Sequence, residues 1–201
     1  MIISQSNKII LASSSPIRKK ILSDLGFEFN SIKPDFDEEK AKEKILHFSI
    51  KKQALFLAKN KALSISKKYK DALVIGSDQI CQLGKLTISK SNNKKEAIEQ
   101  LRKMSGKIHY QNNAVCIYLN GKEIYSHFEK AKLKMRKLST DEIKLYVNID
   151  KSWGCAGSYK FESLGKHLFA KVEGNYEAIL GMSIQPLLNY LYQKKLIFIT
   201  K

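Results

Sequence analysis

A serine-rich stretch near the start of the chain is the first place where residue types and spacing suggest chemistry. Ser13, Ser14 and Ser15 follow an apolar run and lead into Pro16, which is favoured at the first position of a helix because its missing N–H costs nothing there. Ser15 would cap that helix. Free backbone N–H groups at a helix N-terminus bind anions, and Arg18 would add a forked donor. These residues predict a phosphate site; a simple helix cap beside an exposed arginine is the alternative.

Acidic residues in two places suggest proton or metal chemistry. Asp78 follows the apolar run 72–77, which predicts a strand that ends at this residue, and α/β proteins often bind ligands at strand ends. A carboxylate there acts as a general base for water or holds a divalent cation. An aspartate that merely opens a turn is the alternative. A second carboxylate would come from an acidic stretch, otherwise a solvated loop, that contains Asp35, Asp37, Glu38 and Glu39.

The thiol and imidazole side chains are too dispersed to form a zinc site or a disulfide framework. The chain has three cysteines and four histidines, with no C-x-x-C pair. P-loop, G-x-G-x-x-G and G-x-S-x-G patterns are also absent. No apolar run approaches the roughly 18 residues of a membrane span, and no signal-peptide core is present. We therefore expect reduced thiols, a cytoplasmic location and no membrane partner.

The formal net charge of +17 raises the question of nucleic-acid binding. Only three of the 36 basic residues are arginine, whereas nucleic-acid surfaces rely on the planar arginine fork. No RNP-like aromatic run, recognition helix or zinc module accompanies the charge. We expect scattered, solvated lysines that attract anions, without a stable nucleic-acid complex. A basic nucleic-acid-binding protein is the alternative from another functional class.

Hydrophobic patterning and turn residues predict alternating strands and helices in a chain of 201 residues, long enough for one large domain or two joined lobes. Strands are predicted at 8–12, 27–32, 72–77, 115–119, 123–128, 133–138 and 169–172, with hairpin turns at Gly84-Lys85 and Asn120-Gly121. Helices are predicted at 16–25, 45–69, 94–104, 140–148, opened by a capping box at Ser139, and 186–195. The pattern indicates a mixed α/β protein.

Five motifs occur in an order that resembles one known family, the Maf nucleoside triphosphate pyrophosphatases. The resemblance extends from Ile9 to Leu191. Each motif alone is weak, and the ordered set is specific. The motifs are Leu11-Ala-Ser-Ser-Ser-Pro-Ile-Arg18, Asp35-Phe-Asp-Glu38, Lys59-Asn-Lys61, Gly76-Ser-Asp-Gln79 and Cys155-Ala-Gly-Ser-Tyr-Lys-Phe-Glu-Ser-Leu-Gly165.

The resemblance implies a fold, a reaction and a set of site residues. The fold would be one domain over 1–201: an elongated, twisted mixed sheet flanked by helices, in two lobes with a nucleotide cleft between them. Water would attack between the α- and β-phosphates of a nucleoside triphosphate, with Mg²⁺ or Mn²⁺ as cofactor. The resemblance implies Asp78 as proton acceptor, Asp37 as an active-site acid, Lys61 and Lys90 as cleft lysines, and Ser13 and Arg18 as phosphate contacts.

Within this family the chain is most similar to the branch that hydrolyses 7-methyl-GTP. The similarity lies in Ser-Asp-Gln at residues 77–79 and in Cys-Ala-Gly-Ser-x-Lys-x-Glu at residues 155–162. It implies that Ile17, Gln79 and Glu162 set the base preference, and that the enzyme removes modified nucleotides. Hydrolysis of dTTP, UTP or another nucleotide is the alternative. A homodimer is left open.

Overall fold

The computed structural model describes the chain from Ile2 to Thr200. The strands are β1 (Ile2–Gln5), β2 (Lys8–Ala12), β3 (Phe29–Ile32), β4 (Ala72–Leu83), β5 (Leu86–Ile88), β6 (Ile108–Leu119), β7 (Lys122–Met135), β8 (Phe169–Glu173) and β9 (Ile197–Thr200). The helices are α1 (Pro16–Asp24), α2 (Glu38–Lys44), α3 (Ile50–Ser66), α4 (Lys94–Met104), α5 (Thr140–Asp150), α6 (Tyr176–Leu180), α7 (Ile184–Gln193) and a 3₁₀ helix, Leu164–Leu168.

The strands form a mixed sheet in the order β3-β2-β4-β6-β7-β8, with β5 paired to β4. β2 is parallel to both β3 and β4, whereas β5 and β8 are antiparallel to their neighbours. A separate pair, β1 and β9, is antiparallel. The predicted mixed α/β architecture is therefore confirmed.

The chain divides into two compact units. The first contains the residues up to Asp78, the segment Asn113–Glu129 and the residues from Gly181 onward; the second contains Gln79–Asn112 and Lys130–Leu180. Over Ile2–Thr200, no helix has both the length and the apolar character to cross a membrane. The single domain over 1–201 and the nucleotide cleft remain predictions.

The parallel strands of the first unit account for its helices. Parallel neighbours need a crossover connection, and α1 joins β2 to β3 while α2 and α3 join β3 to β4. β2 and β4 read as continuous apolar runs because helices cover their faces. Accordingly Leu11, Leu73 and Ile75 are almost fully buried.

β4 extends beyond the predicted strand end. The prediction that the strand stops at Asp78 is wrong, because β4 continues to Leu83 and turns through Gly84 into β5. The carboxylate of Asp78 does not interrupt the strand because the side chain of Lys61 compensates its charge. Asp78 therefore lies within a rigid strand rather than in a loop.

The helix predicted over 45–69 is shorter, because α3 runs only from Ile50 to Ser66 after its cap Ser49. A separate helix, α2, begins inside the acidic stretch for which the sequence leaves a solvated loop open, because Asp37 caps its N-terminus and Glu38 and Glu39 favour its positive end. Glu38 and Glu39 thus lie on a helix, whereas Asp35 precedes it.

The strands predicted at 123–128 and 133–138 form one continuous strand, β7, because no turn residue separates them; the other predicted elements are largely confirmed. α4 has the predicted bounds, α5 begins with the Ser139–Glu142 capping box, and Asn120-Gly121 has the positive φ angles of a two-residue hairpin turn. The short elements β1, α6 and β9 were not predicted. In the second unit, α4 and α5 pack on β7 around a core that includes Leu101, Met104, Leu133, Ile143 and Val147.

Candidate functional site

A glycine on β4 lets α3 approach the strand closely. A Cβ at Gly76 would overlap the carbonyl oxygen of Ala58 and the methyl group of Ala62. These two alanines flank Lys61 on α3. Gly76 and Asp78 are two residues apart on β4, so they lie on the same face of the strand. The absent side chain at position 76 therefore brings Lys61 within reach of Asp78.

Lys61 joins two carboxylates in the first unit. Its Nζ lies 2.5 Å from Asp78 Oδ1 and 2.6 Å from Glu38 Oε2. The side chains of Lys61 and Asp78 are 12% and 7% exposed, whereas that of Glu38 is 34% exposed. Charge-assisted hydrogen bonds of this kind are stronger than neutral ones and hold the three groups together.

The two carboxyl groups differ in their electrostatic environment. Burial raises the pKa of Asp78, and the nearby Glu38 carboxylate adds to this effect, while Lys61 and Arg18 oppose it. For Glu38, burial also favours the neutral form, but Lys61 and Lys42 outweigh it and lower the pKa to about 2. Asp78 is thus the better proton acceptor of the pair.

Ser13 and Arg18 lie together at the start of α1. The hydroxyl group of Ser13 accepts a hydrogen bond from the backbone N–H of Ser15 at 3.1 Å, and Arg18 Nη1 lies 3.4 Å from the same oxygen. Ser15 occupies the N-cap position, but its side chain makes no cap hydrogen bond. Ser15 therefore stands at the predicted cap position, but the predicted cap hydrogen bond is wrong. The N–H groups of the first turn have no side-chain cap.

Arg18 is fixed by the backbone and by charge. Its Nε donates to the carbonyl oxygen of Gly181 at 2.9 Å. Burial lowers its pKa, and the attractions of Asp78 and Glu38 oppose that change. The guanidinium group therefore lies in the electrostatic field of the two carboxylates that hold Lys61.

Asp37 does not contact Lys61 or Asp78. Its side chain accepts the backbone N–H of Lys40 at 3.1 Å as the cap of α2, and its second oxygen faces the Lys40 ammonium group. Glu38, one residue later, is the carboxylate that contacts Lys61. Side chains of adjacent residues at the start of a helix point in different directions. Which of Asp37 and Glu38 contacts Lys61 therefore depends on where α2 begins, and the sequence did not predict α2.

The residues assigned to base preference have well-defined local contacts. In the second unit, Gln79 donates both amide hydrogens, to the carbonyl oxygens of Ala178 at 3.0 Å and Ile179 at 2.7 Å. Glu162 is exposed in a turn. In the first unit, Ile17 is half-buried on α1. Gln79 therefore presents only its carbonyl oxygen for a further contact.

Lys90 lies in a segment tied to the Cys155 motif. Lys90 forms an isolated antiparallel bridge with Ala156, and the N–H of Gly154 donates to the carbonyl oxygen of Ser91 at 2.8 Å. The hydroxyl group of Ser158 lies 2.8 Å from that of Ser91. The structure thus connects Lys90 with the motif that contains Glu162.

Sequence reasoning missed a buried polar group behind Asp78. Asn113 is fully buried and donates to the carbonyl oxygen of Asp78, and Ser77 and Ser183 complete its hydrogen bonds. The available signal was the polar run Gln111-Asn112-Asn113 immediately before the apolar half of β6. A polar side chain inside a buried strand needs hydrogen-bond partners, and one partner of Asn113 is the backbone carbonyl group of Asp78.

The comparison with protein families matches the description "Maf-like protein" over residues 8–194. The chain belongs to the Maf family. Among curated relatives of this Maf chain, a "Nucleoside triphosphate pyrophosphatase" of Legionella pneumophila (strain Corby) is 36% identical over 96% of each chain. One of the same name from Rhodopseudomonas palustris (strain BisB18) is 36% identical over 96% of each chain. That of Pelagibacter ubique is 35% identical over 92% of this chain and 96% of its own.

A solved structure of a HAM1 protein from Coxiella burnetii is also similar, with a TM-score of 0.47 and 14% identity over 66% of this chain and 74% of its own.

The ion pair between Lys61 and Glu38 should make the free energy of unfolding of this Maf protein depend on pH in the acidic range. In the folded protein, despite its burial, the lysines lower the pKa of Glu38 to about 2 from its ordinary value of 4.5. The ionised Glu38 therefore stabilises the fold fully above about pH 4.5, and this stabilisation is lost as the pH falls through about 2. We expect the free energy of unfolding to fall less steeply over this range in Glu38→Gln than in the wild type, as measured by urea unfolding.

Glu39→Gln is the matched control, because Glu39 is an exposed neighbour on the same helix that pairs with Lys42 and not, among residues 2–200, with Lys61. It should follow the wild-type slope. Parallel curves for Glu38→Gln and the wild type would contradict the prediction.

Proposed function

We propose that this Maf protein is a nucleoside triphosphate pyrophosphatase that cleaves between the α- and β-phosphates. The curated relatives carry the name of that activity. Within the chain, the observation that carries the proposal is the buried Asp78, held by Lys61 with Glu38 and facing the charge of Arg18. Attack of water on phosphorus needs a base for the water and positive charge for the phosphates, and this cluster supplies both.

Asp78 is proposed as the base. Burial raises its pKa and therefore strengthens the carboxylate as a proton acceptor, while Lys61 and Arg18 favour its ionised form. The water loses one proton to Asp78, and its oxygen forms the new bond to phosphorus. The bond from that phosphorus to the bridging oxygen breaks, which gives a nucleoside monophosphate and pyrophosphate.

The start of α1 is proposed to bind the phosphates. Its first N–H groups have no side-chain cap, and the helix dipole favours negative charge there. With Nε fixed on Gly181 and Nη1 directed at Ser13, Arg18 keeps its other terminal N–H groups for an anion. Ser13, within reach of Nη1, would contact the same phosphates.

A divalent cation, Mg²⁺ or Mn²⁺, is proposed as cofactor. Over Ile2–Thr200, no three His, Cys, Asp or Glu side chains form a metal cluster. Mg²⁺, however, is commonly held by one or two carboxylates together with substrate phosphates, and Asp78 and Glu38 both lie within 2.6 Å of the Lys61 ammonium group. The donor set therefore fits, with these two carboxylates as the protein ligands. When bound, the cation would neutralise charge on the phosphate oxygens.

The preferred base is proposed to be 7-methylguanine. Gln79 has its donors occupied and offers an acceptor oxygen, and Glu162 is an acceptor-only group when ionised. Guanine presents N–H donors on one edge, and methylation at N7 adds a positive charge that a carboxylate favours. Thymine and uracil carry a single ring N–H between two acceptors. Two acceptor side chains therefore suit the methylated purine better than dTTP or UTP.

We further propose that the enzyme removes modified nucleotides in the cytoplasm without forming a stable nucleic-acid complex. Its net charge of +17 would attract a polyanionic substrate. A homodimer is an open possibility on which this proposal does not depend.

Asp78→Asn should reduce kcat by about 10²–10⁴-fold, the usual effect of losing a general base. The amide keeps an oxygen for Lys61, so the variant should fold. Steady-state pyrophosphate release and thermal unfolding test both statements. Asp24→Asn is the control, since Asp24 is an exposed aspartate on α1 that pairs with Lys20. A variant that keeps more than about a tenth of the wild-type kcat would remove Asp78 from the role of base.

Removal of divalent cations should stop turnover, because the negative charge of the phosphates would then oppose the hydroxide character that develops on the attacking water and the charge that develops on the leaving pyrophosphate. We expect an EDTA-treated, metal-stripped enzyme to be inactive, and Mg²⁺ or Mn²⁺ to restore pyrophosphate release. Binding of the intact nucleotide, followed by calorimetry, separates a metal needed for binding from one needed for turnover. Full activity of the stripped enzyme in EDTA would refute the cofactor proposal.

Glu162→Gln should lower the preference for 7-methyl-GTP over dTTP by about tenfold in kcat/KM, because a charge-assisted hydrogen bond is worth about 1.5 kcal/mol or more. Hydrolysis of both nucleotides should remain measurable. Glu173→Gln controls for the change of charge, since Glu173 pairs with Lys132 and Lys171 on the surface. A wild type that prefers dTTP or UTP, or an unchanged ratio in Glu162→Gln, would overturn the proposed base preference.

A further inference from the structure

The side chain of Asn113 has all four of its hydrogen-bonding positions occupied. Its Nδ2 donates to the carbonyl oxygen of Asp78 at 2.9 Å and to Ser77 Oγ at 3.2 Å. Its Oδ1 accepts from the backbone N–H of Ser183 at 2.7 Å and from the Ser183 hydroxyl group at 2.8 Å. Asn113, Ser77 and Ser183 are at most 1% exposed. A buried polar network that is fully satisfied is rigid and admits one arrangement.

The same network reaches the arginine of the phosphate site. Ser77 Oγ lies 2.9 Å from the carbonyl oxygens of both Gly181 and Ala114, which share its single hydroxyl hydrogen, and Arg18 Nε donates to the Gly181 carbonyl at 2.9 Å. Gly181 precedes Ser183 by two residues, so the segment that Asn113 holds through Ser183 is the segment that holds Arg18. One amide group therefore connects the strand that carries the proposed base with the carbonyl that fixes the guanidinium group.

We propose that Asn113 is a positioning residue that fixes the Asp78 carboxylate relative to the Arg18 guanidinium group and thereby acts on turnover. The inference rests on the proposed function, because it takes Asp78 as the base and Arg18 as a phosphate ligand. Displacing reacting groups by about 1 Å costs about 100-fold in rate. The uncapped N–H groups of α1 do not depend on the amide, so nucleotide binding should change much less than kcat.

The neighbouring residue provides a matched control. Asn112 is also buried, at 1% exposed, and its amide donates to the carbonyl oxygen of Ile80 and to Gln82 Oε1. None of its described hydrogen bonds involves Asp78 or the Gly181 segment. Asn112→Ala therefore removes a buried amide from the same strand without breaking the network of Asn113.

The experiment compares kcat, KM and the melting temperature of the wild type, Asn113→Ala and Asn112→Ala, with the nucleotide that the wild type hydrolyses best. We expect Asn113→Ala to lower kcat by about 10- to 100-fold with KM within about threefold. Asn112→Ala should lose melting temperature to a similar degree and keep kcat within about threefold. A purely structural role for Asn113 would give the two variants the same kcat.

A double-mutant cycle with Arg18→Lys tests whether Asn113 acts through the arginine. If it does, the second substitution should add less than its effect in the wild type, because the guanidinium group is already misplaced. Should Asn113→Ala fail to fold, Ser77→Ala replaces it, since it removes the hydroxyl group that lies between Asn113, Gly181 and the carbonyl of Ala114 and keeps the amide. We expect that variant to lose about tenfold in kcat with KM unchanged.

The outcomes separate the inference from the proposed function. If the wild type releases pyrophosphate and Asp78→Asn is inactive, but Asn113→Ala or Ser77→Ala keeps the wild-type kcat or changes only KM, the positioning role is overturned and the proposed function stands. Strictly additive effects in the cycle with Arg18→Lys would likewise refute it. If the wild type hydrolyses no nucleoside triphosphate, the proposed function fails and this inference fails with it.

Discussion

The site of the first unit depends on one buried cation that two carboxylates share. An ionised carboxylate as buried as Asp78 would be strongly unfavourable alone, and Lys61 at 2.5 Å offsets that cost while Glu38 binds the same ammonium group. This pairing allows β4 to continue through Asp78 as a regular strand. It also requires α3 to lie unusually close to β4, which only a glycine at position 76 permits. Charge compensation and backbone packing are therefore a single constraint.

The sequence predicted the alternation of strands and helices, and the motif order identified the family. Lys61 and Asp78 were predicted to belong to one site, and the structure places them in contact. The side chain of Asp37 caps α2 instead, because the acidic stretch folds as a helix whose start decides which carboxylate points toward Lys61. Asn113 was not found because its four hydrogen bonds join it to Ser77, Asp78 and Ser183, which are distant in the chain, and local patterning carries no information about such contacts.

The residues proposed to select the base are held differently from those proposed for the chemistry. Gln79 is oriented by two backbone carbonyl groups, so its identity as an acceptor is fixed by the protein. Glu162 is exposed, and its contribution depends on the substrate that removes it from water. Lys90 is placed by a backbone bridge to Ala156. Specificity of this kind arises from backbone positions, and a change of loop conformation would alter it without any change in the charged cluster.

Gly181 and Ser183 lie far along the chain from Arg18, and this separation has a consequence for synthesis on the ribosome. The segment from Gly181 onward belongs to the first unit, together with residues translated far earlier, and it supplies the carbonyl that holds Arg18 and the groups that complete Asn113. β9 then pairs with β1 in the same unit. Domains generally fold as units while the chain is made, but the nascent chain lacks these partners until residues 181–183 have been translated. Arg18 therefore acquires its ordered position only after the residues between it and Gly181, which belong in large part to the second unit, have been made.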